Sequence, residues 1–180
     1  MDRDISRIER IIDDTKNSDI IWKKSKLMEI FKQDPDLAVE LGWEDGKKKE
    51  DYIIPWLKLN GIQKTVQNYI MFDIDDTDVS YSNNIIKNQT LIIMCLVHED
   101  DMLTPYGLEY RIPRTDLLDY LIRDLLNHSN ALGMKLKLVN DFQDIIDSKF
   151  YCRTLKFKIS EINTANGFRE GIGVNKYDRL

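Results

Sequence analysis

Apolar residues are spaced in two ways along this chain, at helical intervals near its start and in alternating or continuous runs later. Ile5, Ile8, Ile11 and Ile12 recur at steps of three and four and predict one apolar helix face over residues 4–14. Asn17 and Ser18 interrupt it. A second helix is predicted over residues 22–32, with Leu27, Ile30 and Phe31 facing inward. Asp34-Pro35-Asp36 then marks a fresh helix start, with Asp34 as N-cap and Pro35 at the first helical position. That short helix is expected to end near Gly42, and the charged stretch 43–51 reads as a hinge.

Beyond the hinge the period shortens to that of strands. Ile53-Ile54-Pro55-Trp56 predicts a short extended piece that its proline confines to an edge or a loop. Residues 65–74 form a strand candidate ending in the acidic turn Asp75-Asp76-Thr77-Asp78. The unbroken run Leu91-Ile92-Ile93-Met94-Cys95-Leu96-Val97 suits a central strand buried on both faces, spanning residues 89–98. Leu117, Leu118, Leu121, Ile122, Leu125 and Leu126 make a two-row stripe and predict a helix over 115–127. Asp116 and Asp119 lie near its start, where negative charge complements the helix dipole. A strand at 134–139 and a turn-rich stretch at 140–148 follow. In the last strand, 150–162, Leu155, Phe157 and Ile159 alternate with Lys156, Lys158 and Ser160, giving one dry and one wet face.

These elements predict an α+β fold: a mainly antiparallel sheet with one long helix packed across it, preceded by a small helical N-terminal extension. The expected division is a helical extension and hinge at 1–50, an α+β core at 51–162, and a C-terminal tail or arm at 163–180. That tail holds Gly167, Gly171 and Gly173 and shows no periodicity.

Composition narrows the function. At 180 residues the chain can bury a core without disulfides or metal. A net charge of −5 argues against a protein whose main task is gripping nucleic acid. Lys47, Lys48 and Lys49 adjoin Glu50 and Asp51 and read as a solvated loop. Cys95 and Cys152 each sit in an apolar run, as small buried hydrophobes do, and their spacing suggests no zinc site. The charged opening lacks a signal-peptide core, and the longest apolar run is far short of the roughly 20 residues a membrane helix needs. A soluble protein made in a reducing cytoplasm is expected.

Two local strings suggest chemistry. Tyr69-Ile70-Met71-Phe72-Asp73-Ile74-Asp75-Asp76-Thr77 resembles the first motif of haloacid-dehalogenase-type phosphotransferases. The resemblance implies a magnesium-dependent phosphatase in which Asp73 attacks phosphorus and Asp75 protonates the leaving group. Later parts of that family's kit are poorly supplied: the strand at 91–97 runs into His98-Glu99, where a phosphate-binding serine or threonine would stand. Asp141 and Asp144 could imitate its acidic motif, and Lys135 or Lys137 its charge-balancing lysine. His98, Glu99, Asp100 and Asp101 cannot all converge on a metal, because consecutive strand residues point to opposite faces. His128, at a helix end, reads as a group that satisfies loose carbonyls. Trp22, Trp43 and Trp56 read as core or interface anchors.

The order of the later segments carries a wider resemblance. It runs through Asn68-Tyr69-Ile70-Met71-Phe72-Asp73-Ile74, then Leu91 to Asp101, Tyr106-Gly107, and Arg114-Thr115-Asp116-Leu117-Leu118. It closes with Leu136-Lys137-Leu138-Val139-Asn140-Asp141 and Tyr151-Cys152-Arg153-Thr154-Leu155-Lys156-Phe157. Across residues 52–162 this pattern is similar to tailed-bacteriophage head–tail joining and tail-terminator proteins of the neck. The resemblance implies a non-enzymatic virion protein, made in the host cytoplasm, that assembles into a homo-oligomeric ring, a hexamer, at the head–tail junction. It implies neighbouring neck and tail proteins as partners, DNA passing through the channel without specific binding, and no membrane. No catalytic residue, cofactor or metal is expected. Interface candidates, chosen for exposure, are Asp100, Asp101, Tyr106, Phe168 and Tyr177. The helical start departs from the best-known tail terminators and leaves adaptor, stopper and terminator open. A third reading is a host-encoded binding module whose arm folds on its partner.

Overall fold

The computed structural model describes residues 20–43, 48, 51–57, 66–79, 86–107, 109–146 and 149–162. The isoleucine-rich helix expected at 4–14 and the tail at 163–180, with Phe168 and Tyr177, lie outside the described residues.

Among the described residues, three α-helices and five strands build two layers. Helix α1 (Ile20–Gln33) is followed at once by α2 (Pro35–Glu40). As the sequence predicts, Asp34 caps α2, its side chain accepting from the Leu37 amide at 2.8 Å, and Pro35 opens it. Gly42 ends this region in a left-handed conformation, φ +67°. Strand β1 (Ile53–Ile54) lies at one border of the sheet, followed by β2 (Tyr69–Val79) and β3 (Ile86–His98). A 3-10 turn at Glu99–Asp101 leads toward α3 (Arg114–Leu126), and β4 (Lys137–Ile145) and β5 (Phe150–Ile162) complete the chain.

The sheet order is β1-β2-β3-β5-β4. Three ladders are antiparallel, and β1 pairs in parallel with Ile70 and Met71 of β2. The sheet expected to be mainly antiparallel is therefore mixed, through this one short ladder. The single long helix expected is one of two of similar length: α1 has 14 residues and α3 has 13.

Both helices cover the same sheet face. α1 lies over β1 and β2, α3 lies over β3 and β5, and α2 packs against α3. Alternation along the strands supplies that face: Ile70, Phe72 and Ile74 on β2, Leu91, Ile93, Cys95 and Val97 on β3, Leu155, Phe157 and Ile159 on β5. Into it α3 inserts Leu118, Ile122 and Leu126, while Leu117, Leu121 and Leu125 form a half-buried outer row. Leu27, Phe31, Leu37 and Leu41 from the N-terminal helices enter the same buried cluster, where Phe31 meets Phe72 edge to face at 5.7 Å. The opposite face carries a smaller apolar group: Tyr69, Met71, Leu96, Phe150 and Cys152.

Two loops of the sequence reading are strand instead. β2 runs on through Asp75 and Asp76 to Val79, with a register shift between Asp76 and Asp78, because Gln89, Asn88 and Lys87 of β3 offer it a ladder. β4 starts at Lys137 and continues through Asn140–Ile145, paired with β5 residues from Lys158 back to Tyr151. The polar residues of that stretch suit an edge strand exposed along most of its length.

Candidate functional site

The loop after β3 is the first place to look for an interface, and the structure divides its two aspartates. Asp100 is exposed, and its amide donates to His98 Nδ1 at 3.2 Å. Asp101 instead belongs to an internal network. Its side chain accepts from Asn68 Nδ2, and Asn68 Oδ1 in turn accepts from the His98 amide at 3.2 Å. Arg114, at the start of α3, donates through Nε to the Asp101 carbonyl (2.9 Å) and through Nη2 to Asp101 Oδ1 (3.1 Å). Its Nη1 reaches both the carbonyl (3.0 Å) and Oε2 (2.7 Å) of Glu40. Burial pushes the Glu40 carboxyl above its ordinary range, and the Arg114 charge opposes that push. One guanidinium thus ties the end of α2, the turn after β3 and the start of α3.

Tyr106 is exposed at the rim of a groove of about 320 Å³ that Asp36, Val39, Glu40, Leu117 and Leu121 complete. The loop presenting it is closed on itself. Ile112 donates its amide to the Tyr106 carbonyl at 3.0 Å, and Thr104 Oγ1 donates to the Ile112 carbonyl at 2.8 Å. Gly107 is required there: at φ +127° an added Cβ would lie 1.9 Å from the Tyr110 carbonyl oxygen. Of the five interface candidates, Asp100 and Tyr106 face solvent, Asp101 is largely engaged inside, and Phe168 and Tyr177 lie outside the described residues.

Asp73 and Asp75 lie within β2, flanked by further strand on both sides. A carboxylate nucleophile of the resembled phosphotransferases leaves the end of a parallel strand. Here the strand is antiparallel to β3 and continues to Val79. Asp73 is paired with Lys24 of α1 and accepts from the Ile74 amide at 2.8 Å, while Asp75 is exposed. Lys137 stands in the same cross-sheet row as Asp75, reached through Thr90 and Lys158. Three strand spacings, roughly 14 Å, separate the two, too far for a lysine to balance charge at that carboxylate. Among the described residues, no group of three or more His, Cys, Asp or Glu is placed to hold a metal ion.

A second polar cluster lies between α3 and the β5–β4 end of the sheet. Arg153 grips Asp141 through two hydrogen bonds of 2.8 Å and reaches Asp116 at 2.6 Å. Its bonds to Asp141 and the charges of Asp116 and Asp119 hold the guanidinium protonated still more firmly than usual. Asp119, read from sequence as a dipole partner, is instead buried and paired with Arg123 at 2.7 Å. Its Oδ1 has no hydrogen-bond partner among the described residues, and burial raises its pKa above the ordinary carboxylate value. Cys95 and Cys152 are free and buried. Burial pushes the Cys95 thiol well up and Cys152 to about 11, as inert core thiols require.

The strand expected at 134–139 is only the start of an open edge whose greater part, 140–145, reads as turn in the sequence. β4 is an edge strand of nine residues, with Val139, Phe142 and Ile145 exposed along it. Among the described residues no strand lies beyond it. The opposite border is open as well: β1 covers only Ile70 and Met71, so β2 from Phe72 onward has no outer partner among the described residues. Val139, Phe142 and Ile145 fall three apart, off the strand period of two, and the intervening Asn140, Asp141, Gln143 and Asp144 read as turn chemistry.

The model of the YomW family matches residues 7–159, which takes in every described element from α1 to most of β5. The chain belongs to the YomW family. YomW is the name of a Bacillus phage SPBc2-region protein, which associates the family with phage. No curated protein matches the chain.

Proposed function

We propose that this member of the YomW family is a structural virion protein of a tailed phage, a ring-forming subunit at the head–tail junction serving as tail terminator or connector. The observation that carries the reading is the pair of sheet borders that have no outer strand among the described residues. The exposed nine-residue edge offers about 30 Å of ladder with no strand beyond it among the described residues. Such edges are ordinarily blunted or covered, because they invite another strand. Here β4 exposes Val139, Phe142 and Ile145 beside its open backbone.

The strand directions suit a head-to-tail contact. β2 runs antiparallel to β3, β3 to β5 and β5 to β4, so the two open borders run in opposite directions. A neighbour rotated about an axis along the strands brings its β2 border against β4 in antiparallel sense. Repeated heterologous contacts of this kind close into a ring when the rotation divides a full turn. The phage association of the family and the order of segments shared with neck proteins support the same setting.

Two measurements test it. Native mass spectrometry of the purified chain should give a closed oligomer that Phe142→Asp dissociates. Gold-labelled antibody on virions from the source lysate should mark the head–tail junction. A monomer at high concentration together with unlabelled virions would remove the proposal.

A further inference from the structure

At the end of the sheet where β4 begins, His128, Lys135, Lys137 and Lys158 line an open cleft of about 500 Å³. We infer that this cleft is an anion site that takes a phosphate-bearing ligand, either the phosphodiester backbone of a nucleic acid or a free oligophosphate. The inference does not depend on ring assembly.

The first argument is charge. The chain is net acidic, −5, yet among the described residues this cleft is lined by three lysines and a histidine and by no carboxylate. Lys137 and Lys158 are direct partners in the β4–β5 ladder, so their side chains leave the same face side by side. Like charges in that position repel, and a sheet ordinarily avoids them or sets a carboxylate between. Among the described residues none of the four side chains has a hydrogen-bond or ion-pair partner. The carboxylate in the same cross-sheet row, Asp75, is two strand spacings beyond Lys158, roughly 10 Å away. That is about a Debye length at physiological salt, where an exposed charge is largely screened.

The second argument is construction. His128 is the one non-glycine with positive φ among the described residues, at 64°. The turn that holds it is clamped at three points. The His128 amide donates to the Leu136 carbonyl at 2.9 Å, and the Leu136 amide donates to the Ser129 carbonyl at 2.9 Å. The Leu138 amide donates to Asn127 Oδ1 at 3.1 Å. The end of α3 is thereby fixed to the start of β4, and the imidazole, expected to satisfy helix carbonyls, lines the lysine cleft instead. A left-handed residue in this position ends the helix, and the three bonds fix where its side chain stands in the cleft.

Ligand chemistry follows from the donors. Lysine ammonium groups are compact point charges that bind phosphate oxygens without a fixed directional geometry. The cleft is open and has room for more than one phosphate group.

The test uses the full chain, a short labelled DNA duplex of arbitrary sequence, and tripolyphosphate, across a salt series. Either ligand should bind at low salt. For the duplex, the logarithm of affinity should fall with the logarithm of salt at a slope of about −3, as three phosphate contacts dictate. The triple variant Lys135→Gln, Lys137→Gln, Lys158→Gln should weaken binding at least tenfold and flatten the slope, while Lys→Arg at the same positions retains binding. Matching far-UV circular dichroism of both variants controls for folding. Binding of the duplex alone assigns the ligand to nucleic acid, and binding of tripolyphosphate alone assigns it to free anions. Unchanged binding in the glutamine variant, no binding of either ligand at low salt, or tighter binding of a polyglutamate peptide than of both would overturn the inference.

Discussion

The guanidinium of Arg114 lies 2.7 Å from the carboxylate of Glu40, two buried charges brought together from 74 residues apart. Glu40 closes α2 and Arg114 opens α3, so the pair fixes the N-terminal helices against the second half of the chain. Removing one partner leaves the other charge buried without its complement, which costs about 3–5 kcal/mol. Arg114→Ala should therefore lower the unfolding free energy by about that amount in urea titrations. Arg114→Met combined with Glu40→Leu should recover most of it, since a well-packed apolar pair often equals an ionic one. A loss under about 1 kcal/mol in the single variant would show that the pair does not hold α2 to α3.

Phe31 makes a second link between the helical start and the sheet. Its ring meets Phe72 at 5.7 Å with an interplanar angle of 74°, and both side chains are essentially inaccessible. Truncating a buried phenylalanine costs about 3–5 kcal/mol through lost transfer energy and the cavity left behind. Phe31→Ala should shift the whole denaturation curve by that amount, in a single transition seen alike by circular dichroism and tryptophan fluorescence. Separate transitions by the two probes would mean that α1 unfolds independently of the sheet.

The elements dominated by burial were legible in the sequence. The run at Leu91–Val97, the alternation in 150–162 and the stripe from Leu117 to Leu126 all report one competition, between apolar area and water. The structure places β3, β5 and α3 where those patterns fall. What the sequence hid depends on partners that are distant in the chain. Asp75-Asp76 and Asn140–Asp144 carry turn-forming side chains, yet a ladder offered by β3 or β5 outweighs that local preference. Buried Lys23 donates a hydrogen bond from its ammonium to the side-chain oxygen of Gln89, 66 residues later, and nothing in the helix periodicity could signal that. The lysine cleft was hidden for the same reason, since Lys137 and Lys158 become neighbours only through strand pairing.

Asp119 should give the protein a pH dependence of identifiable sign. Burial raises its pKa above the ordinary 3.8, with the Asp141 charge adding to the rise and Arg123 and Arg153 opposing it. Asp116 on its own helix and Cys95 on β3 also face this region. A folded pKa above the unfolded one means the native state holds this proton to higher pH. The stabilisation is fully present below pH 3.8 and is lost as pH rises through the raised folded value. Asp119→Asn cannot titrate, so the stability of the native chain minus that of the variant should fall with rising pH and then level off. Urea unfolding of both proteins across the acid range checks this. A difference that stays flat, or climbs with pH, would place Asp119 among the carboxylates that ionise easily in the fold.

The Lys137–Lys158 pair predicts the rarer outcome of a charge reversal that stabilises. The two residues are direct cross-strand partners, and among the described residues neither has a carboxylate to neutralise it. Lys137→Glu replaces a repulsion by an attraction across the same ladder position, a change on the order of 0.5 kcal/mol in favour of folding. Both side chains are exposed, so the gain should shrink as salt rises and screens the pair. Lys137→Gln, which only removes the repulsion, should fall between the two. Thermal melts of the three proteins at low and high salt give the comparison directly. If the glutamate variant melts no higher than the native chain at low salt, the lysines do not feel one another. The energetic argument that the cleft awaits an anion would then lose its footing, whatever binds there. A salt-sensitive rise in melting temperature, coupled with loss of phosphate binding, would instead show one position trading stability for a ligand.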